Sequence, residues 1–156
     1  MSDIEVSRVI AASPEALYDI VSDLPRMGEL SPENTGGMWV NGAAGPAVGA
    51  EFRGTNSRGT KHWATTAIVE RAERGHEFAF RVHVGPVKVA RWSYRFEPVE
   101  GGTKVTETWD DMRNWVAKKA GFVASGVKDR ETHNRDSMTV TLGNLAQFVR
   151  DVGPGR

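Results

Sequence analysis

Residues 76–112 read HEFAFRVHV, GP, VKVARWSYRFEPV, EGG, TKVTETWDDM. Three runs rich in β-branched and aromatic residues are separated by breaks of two and three residues that contain glycine. Runs of this composition are strands, and connections this short join neighbouring antiparallel strands as hairpins. Side chains alternate between the two faces of a strand. In the first run Phe78, Phe80, Val82 and Val84 share one face, and Glu77, Ala79, Arg81 and His83 share the other. In the second, Trp92, Tyr94 and Phe96 oppose Arg91, Ser93 and Arg95. In the third, Val105, Glu107 and Trp109 oppose Lys104, Thr106 and Thr108. The apolar set points to a core and the polar set to water.

The same texture extends upstream. Lys61 to Glu73 is a further strand, entered by the turn Arg58-Gly59-Thr60, and Ala50 to Ser57 is another. Their inward sets are Trp63, Thr65, Ala67 and Val69, and Phe52, Gly54 and Asn56. Met38 to Asn41 is a short strand, followed by a loop over Gly42 to Gly49. Ile4 to Ile10 is a first strand. Between them, Ser13-Pro14-Glu15 has the chemistry of a helix start: a capping hydroxyl, a proline at the first position and an acid at the positive helix end. Leu17, Ile20, Val21 and Leu24 follow at helical spacing, Pro25 stops or kinks the helix, and Arg26 to Leu30 forms a second short one. Residues 31–37 form a connector.

Downstream, Asn114 to Gly126 carries Trp115, Val116, Phe122 and Val123 without a clear period. Val127 to Val149 reads as one long helix, with Met138, Leu142, Leu145 and Val149 on one face and a kink or weakening near Gly143. The order is α+β: one strand, two short helices, a six-strand meander and a long C-terminal helix. A sheet with one apolar face buries it against something, and the long helix is available for that. Residues 1–152 form a single domain, and 153–156 a disordered tail.

Composition narrows the function. The 156-residue chain has 20 Lys plus Arg and 20 Asp plus Glu, so its formal net charge is zero. That removes the electrostatic reason to seek nucleic acid or an anionic membrane. The absence of cysteine excludes disulfides, thiolate metal sites and a cysteine nucleophile. Residues 1–5 show no secretory signal, and no apolar run reaches the roughly 20 residues that span a bilayer. The expectation is a cytoplasmic protein, monomeric or homodimeric, without stable membrane insertion. His62, His76, His83 and His133 form no pair at metal-ligand spacing, so no metal and no cofactor are expected. Asp110 and Asp111 face opposite sides of a strand and cannot share a substrate. No Gly-x-Ser-x-Gly elbow and no phosphate loop occurs. Arg53, Arg81, Arg91 and Arg95 alternate with Glu51, Glu77 and Glu97 as a solvated sheet face.

Several local motifs carry a resemblance. They are Ala12-Ser13-Pro14-Glu15-Ala16-Leu17-Tyr18, residues 22–33, Gly102-Thr103-Lys104-Val105-Thr106-Glu107-Thr108-Trp109, and the stretch from Asp129-Arg130 to Thr141-Leu142. With the element order, they resemble the START-like, birch-allergen-like superfamily, and within it the bacterial polyketide cyclase/dehydrase branch. Actinobacterial members often carry Trp where this chain has Leu30. The likeness runs from about Ile4 to Val149. It implies a helix-grip fold, a curved seven-stranded antiparallel sheet wrapped around the C-terminal helix, with a cavity between them. The superfamily includes aromatase/cyclases, lipid carriers, receptors and co-chaperones, so fold alone does not choose among them.

The inward residues Phe52, Asn56, Trp63, Thr65, Phe78, Phe80, Trp92, Tyr94, Glu107 and Trp109, with Met138 from the helix, are mostly apolar with a few polar groups. That is the make-up of a ligand pocket, and equally of a packed core. Glu107 is the most informative, because a buried carboxylate is paired, hydrogen-bonded or protonated. It could orient a hydroxylated ligand, act with Tyr94 as a general acid or base, or simply pair with an arginine or tyrosine, and a register slip of one residue would put it in water instead. Three functions follow: binding of a hydrophobic small molecule such as a lipid or polyketide; a cyclase/aromatase or dehydratase using Tyr94, Glu107 and Asn56; or a protein-interaction module. In the last case 114–126 would be an interaction surface; in the first two it would be a lid.

Overall fold

The computed structural model describes residues 3–31, 34–113 and 130–152. Its strands are β1 (Ile4–Ile10), β2 (Asn34–Val40), β3 (Glu51–Arg58), β4 (Lys61–Glu73), β5 (Glu77–Val84), β6 (Val87–Val99) and β7 (Gly102–Asp111). They form one antiparallel sheet in the order β1-β7-β6-β5-β4-β3-β2. The six consecutive strands are a meander, and β1 adds to its far edge beside β7. The helices are α1 (Pro14–Val21), a 3-10 turn (Leu24–Glu29) and α2 (Arg130–Val152). This is the helix-grip, START-like arrangement. None of the described helices is long and apolar enough to cross a membrane.

The helix entry follows its sequence. Ser13 Oγ accepts a hydrogen bond from the Ala16 N–H at 3.1 Å, Pro14 takes the first turn, and Glu15 sits at the positive end. The helix ends at Val21, earlier than Leu24. Pro25 therefore opens the 3-10 turn instead of closing α1. Near a helical start its missing N–H costs nothing.

The connector expected over residues 31–37 is instead part of β2, which begins at Asn34. Gly36 and Gly37 hide the strand from a side-chain reading. Gly37 has φ 151°, and a Cβ there would collide with the backbone carbonyl of Arg53 on β3. Close backbone approach requires glycine here, and the pairing register shifts between Asn34 and Gly36. The other strand boundaries agree with expectation to within a residue or two.

The expected start of the long helix, residues 127–129, lies outside the described residues, as do 114–126 and the 153–156 tail. From Arg130 the helix runs without interruption through Gly143. A Cβ at Gly143 would lie 3.7 Å from Arg8 Nη1, so the glycine sits where a β1 side chain passes the helix.

The main core gathers Leu17, Tyr18 and Val21 of α1, Leu24 and Met27, the inward strand residues Phe52, Phe78, Tyr94, Phe96 and Val105, and Leu142, Leu145 and Val149 of α2. Tyr18 meets Phe78 and Phe96 edge-on, each with ring centroids 6.0 Å apart. A second, smaller cluster joins Ile4, Ala90, Trp109 and Met138. α2 packs chiefly on β1 and β7, and α1 on β5 and β6.

Candidate functional site

Strand register builds the inner face as rows that run across the sheet. One row is Val69, Phe80, Trp92, Trp109 and Ile4. The next is Ala72, Phe78, Tyr94, Glu107 and Val6. The only carboxyl in these rows thus lies among aromatics and aliphatics. On β7 it has Val105 of the main core on one side and Trp109 of the second cluster on the other. The two apolar clusters meet at Glu107.

Glu107 is 2% exposed. The Tyr94 hydroxyl, directly opposite on β6, donates to Oε2 at 2.8 Å. Oε1 is buried and has no hydrogen-bond partner among the described residues. Such an atom costs about 1–3 kcal/mol if nothing satisfies it. Burial pushes the Glu107 carboxyl up to about 8, and the Tyr94 hydrogen bond opposes that only in part. Burial, and then the adjacent carboxyl, push the Tyr94 phenol well above its ordinary value. Near neutral pH the pair is therefore a neutral acid held by a neutral phenol.

The other expected site residues divide into two groups. Phe52, Phe78, Tyr94, Glu107, Trp109 and Met138 are buried. Asn56, Trp63, Thr65, Phe80 and Trp92 face inward yet are only half-buried. The accessible group lies on β3 to β6, the side away from the β1 and β7 strands that carry α2. Asn56 Nδ2 donates to Thr65 Oγ1 at 3.3 Å, so these two polar groups satisfy each other in part. Trp92 and Trp109 stack at a tilt, with centroids 6.4 Å apart. Val84 shares the inward parity but is 43% exposed, at the tip of the β5–β6 hairpin.

The outward face holds the features that the sequence reading missed. Arg81 and Arg91 do not pair with Glu51, Glu77 or Glu97. Both bind Glu70, at 2.7 Å from Arg81 Nη1 and 2.8 Å from Arg91 Nε. Glu70 is the extra residue of a bulge in β4, between Val69 opposite Phe80 and Arg71 opposite Ala79. A bulge re-aims a side chain, and alternation counting cannot see it. The two arginines hold the Glu70 carboxyl below its usual range despite burial. Arg81 Nε also donates to His83 Nε2 at 2.7 Å, which requires a neutral ring. Burial, Arg81 and Lys88 all lower that histidine's basicity. Ser93 and Thr108, also outward, are buried and hydrogen-bonded to each other.

His62 and His76 are exposed, and His133 is half-buried on α2. Asp111 holds Arg113 at 2.8 Å, whereas Asp110 accepts from the Asp3 N–H, so the adjacent aspartates do separate work. Among the described residues no His, Asp and Glu cluster has metal-binding geometry. A separate groove of about 170 Å³ lies between α1, the 3-10 turn and Phe148 of α2. None of the expected site residues lines it.

Comparison with known proteins agrees with this architecture. A solution structure of a polyketide-cyclase-like protein from Corynebacterium glutamicum is 29% identical, covering 96% of this chain and 89% of that one, with a TM-score of 0.58. A crystal structure from Rhodobacter sphaeroides is 19% identical over 96% of this chain and 93% of that one, with a TM-score of 0.63. One from Nitrosomonas europaea reaches a TM-score of 0.69 at 11% identity, covering 96% and 95%. No curated protein matches the chain. The family described as polyketide cyclase / dehydrase and lipid transport matches residues 1–148. The chain is a member of that family.

Proposed function

We propose that this protein binds a hydrophobic small molecule between the inner face of β3 to β7 and α2, with Glu107 and Tyr94 as its polar anchor. The observation that carries this reading is Glu107 Oε1, without a partner among the described residues at the meeting point of two apolar clusters. A buried polar atom left unsatisfied is costly, and a ligand group that hydrogen-bonds to it would remove that cost. The half-buried Trp63, Phe80 and Trp92 supply apolar walls, and Asn56 and Thr65 a few further polar contacts. Family membership favours a lipid or polyketide-like ligand.

Native mass spectrometry of the purified protein, followed by organic extraction, tests this. The expected result is a discrete apolar molecule that co-purifies, or uptake of a neutral apolar dye such as Nile red. A bare protein mass together with no dye uptake contradicts it.

A second reading, a cyclase- or dehydratase-type enzyme, rests on the protonation of Glu107. A carboxyl that titrates near 8 is a competent general acid at neutral pH. If the ligand is turned over, Glu107→Gln abolishes turnover and leaves binding nearly intact. Equal turnover by that variant rules the reading out.

A further inference from the structure

The Glu107 site also carries information on the charge and chemistry of what it takes. Oε2 is already an acceptor for the Tyr94 hydroxyl. With the Tyr94 hydroxyl donating to it, that oxygen is assigned the carbonyl part of the neutral acid and Oε1 the proton. Oε1 is the oxygen without a partner among the described residues. It presents a hydrogen to the interior and wants a lone pair in return.

No other charged side chain is fully buried among the described residues. Across β1 the opposing residue is Val6, and Ile4 and Ile10 lie on the same face. Arg8 shares that face but is exposed beside Gly143. β6 contributes Trp92, Tyr94 and Phe96, and β5 contributes Phe78 and Phe80. The buried α2 residues are Asn134, Met138, Thr141, Leu142, Leu145, Ala146 and Val149, none of them ionisable. Of these neighbours Tyr94 is the titratable group bonded to Glu107; half-buried His133 lies five residues before Met138 on α2, and beyond Trp109 on β7 Asp111 holds the nearly buried Arg113. A ligand carboxylate at Glu107 would lie beside an acid, with Arg8 exposed and Arg113 already held by Asp111, so its desolvation would go largely uncompensated.

We propose, resting on the ligand-binding reading above, that Glu107 Oε1–H is a donor that selects an uncharged ligand with an accepting oxygen, such as a ketone or ester carbonyl, and rejects carboxylates. The protein then discriminates between two molecules of equal length and apolar surface by one terminal group.

Displacement of Nile red by 2-undecanone and by undecanoate at pH 6.5 tests this. The ketone is expected to compete at a concentration at least ten-fold lower than the carboxylate. Its affinity falls several-fold as pH rises through about 8, where the donor proton is lost. Glu107→Gln, whose amide can still donate, keeps the ketone within a few-fold and abolishes that pH dependence. Glu107→Met, apolar and of similar length, weakens the ketone about ten-fold. If dye and ketone bind but undecanoate competes equally well, the selection is wrong while the ligand-binding reading stands. If neither dye nor ketone binds, both fail. Should the methionine variant not fold, the pH-flat behaviour of the glutamine variant decides alone: a pH dependence equal to wild type overturns the proposal.

Discussion

At the scale of single residues, Glu107 sets a pH dependence whose direction is opposite to that of most carboxylates. Its folded value of about 8 lies above the 4.5 of an unfolded chain. Below 4.5 both states hold the proton, and the group costs no stability. Between 4.5 and 8 the unfolded chain releases the proton while the folded protein keeps it, so stability falls as pH rises. Above 8 the loss levels off, at a total on the order of 5 kcal/mol. Glu107→Gln removes the titration. Urea unfolding at pH 5 and pH 9 should find the variant close to wild type at the lower pH and more stable than wild type at the higher. Equal slopes against pH in the two proteins would show that the carboxyl is solvated. Tyr94→Phe leaves both Glu107 oxygens without a donor, and a loss of about 1–3 kcal/mol at pH 7 is expected in the same assay. That Glu107 faces inward was legible from the Val105-Glu107-Trp109 alternation. That its partner is Tyr94 required the β6–β7 register, which side-chain pattern alone does not number.

The strands and their turns explain why some neighbours were legible and others were not. Alternation through β7 and through β5 and β6 away from their shared tip, where the register shifts past Val82, made the inner rows readable, because each turn there is short and carries glycine. β4 breaks the pattern at Glu70, and β2 is masked by Gly36 and Gly37. In both places backbone geometry overrides side-chain pattern. Arg81 and Arg91 are direct cross-strand neighbours, so Glu70 separates two like charges. Glu70→Ala should cost about 1–3 kcal/mol in denaturant unfolding, because it leaves two half-buried guanidinium groups facing each other. A change below 0.5 kcal/mol, roughly what an ordinary surface substitution gives, would mean that water screens the pair. The β3–β4 tip shows the same problem unsolved: Arg58 lies opposite Lys61, and neither forms an ion pair among the described residues. Lys61→Glu turns that repulsion into attraction and is expected to stabilise by roughly 0.2–1 kcal/mol, lost in high salt.

For the molecule as a whole, the fold was legible because every level agreed: hairpin turns, alternating strands, a capped first helix and an amphipathic last one. The site was legible only as a list of inward residues. Which of them stay half-buried depends on where α2 lies, and the sequence does not specify that placement. α2 rests on β1 and β7, and the half-buried aromatics Trp63, Phe80 and Trp92 sit on β4, β5 and β6. The account therefore predicts one binding region, distinct from the groove at Phe148. Indole and amide NMR shifts on titration with 2-undecanone locate it directly. The expected response is in the indoles of Trp63, Trp92 and Trp109 and in the amides of β5 to β7, with α1 unchanged. Shifts confined to α1 and the residues around Phe148, or no shifts at all, would contradict an interior site anchored on Glu107.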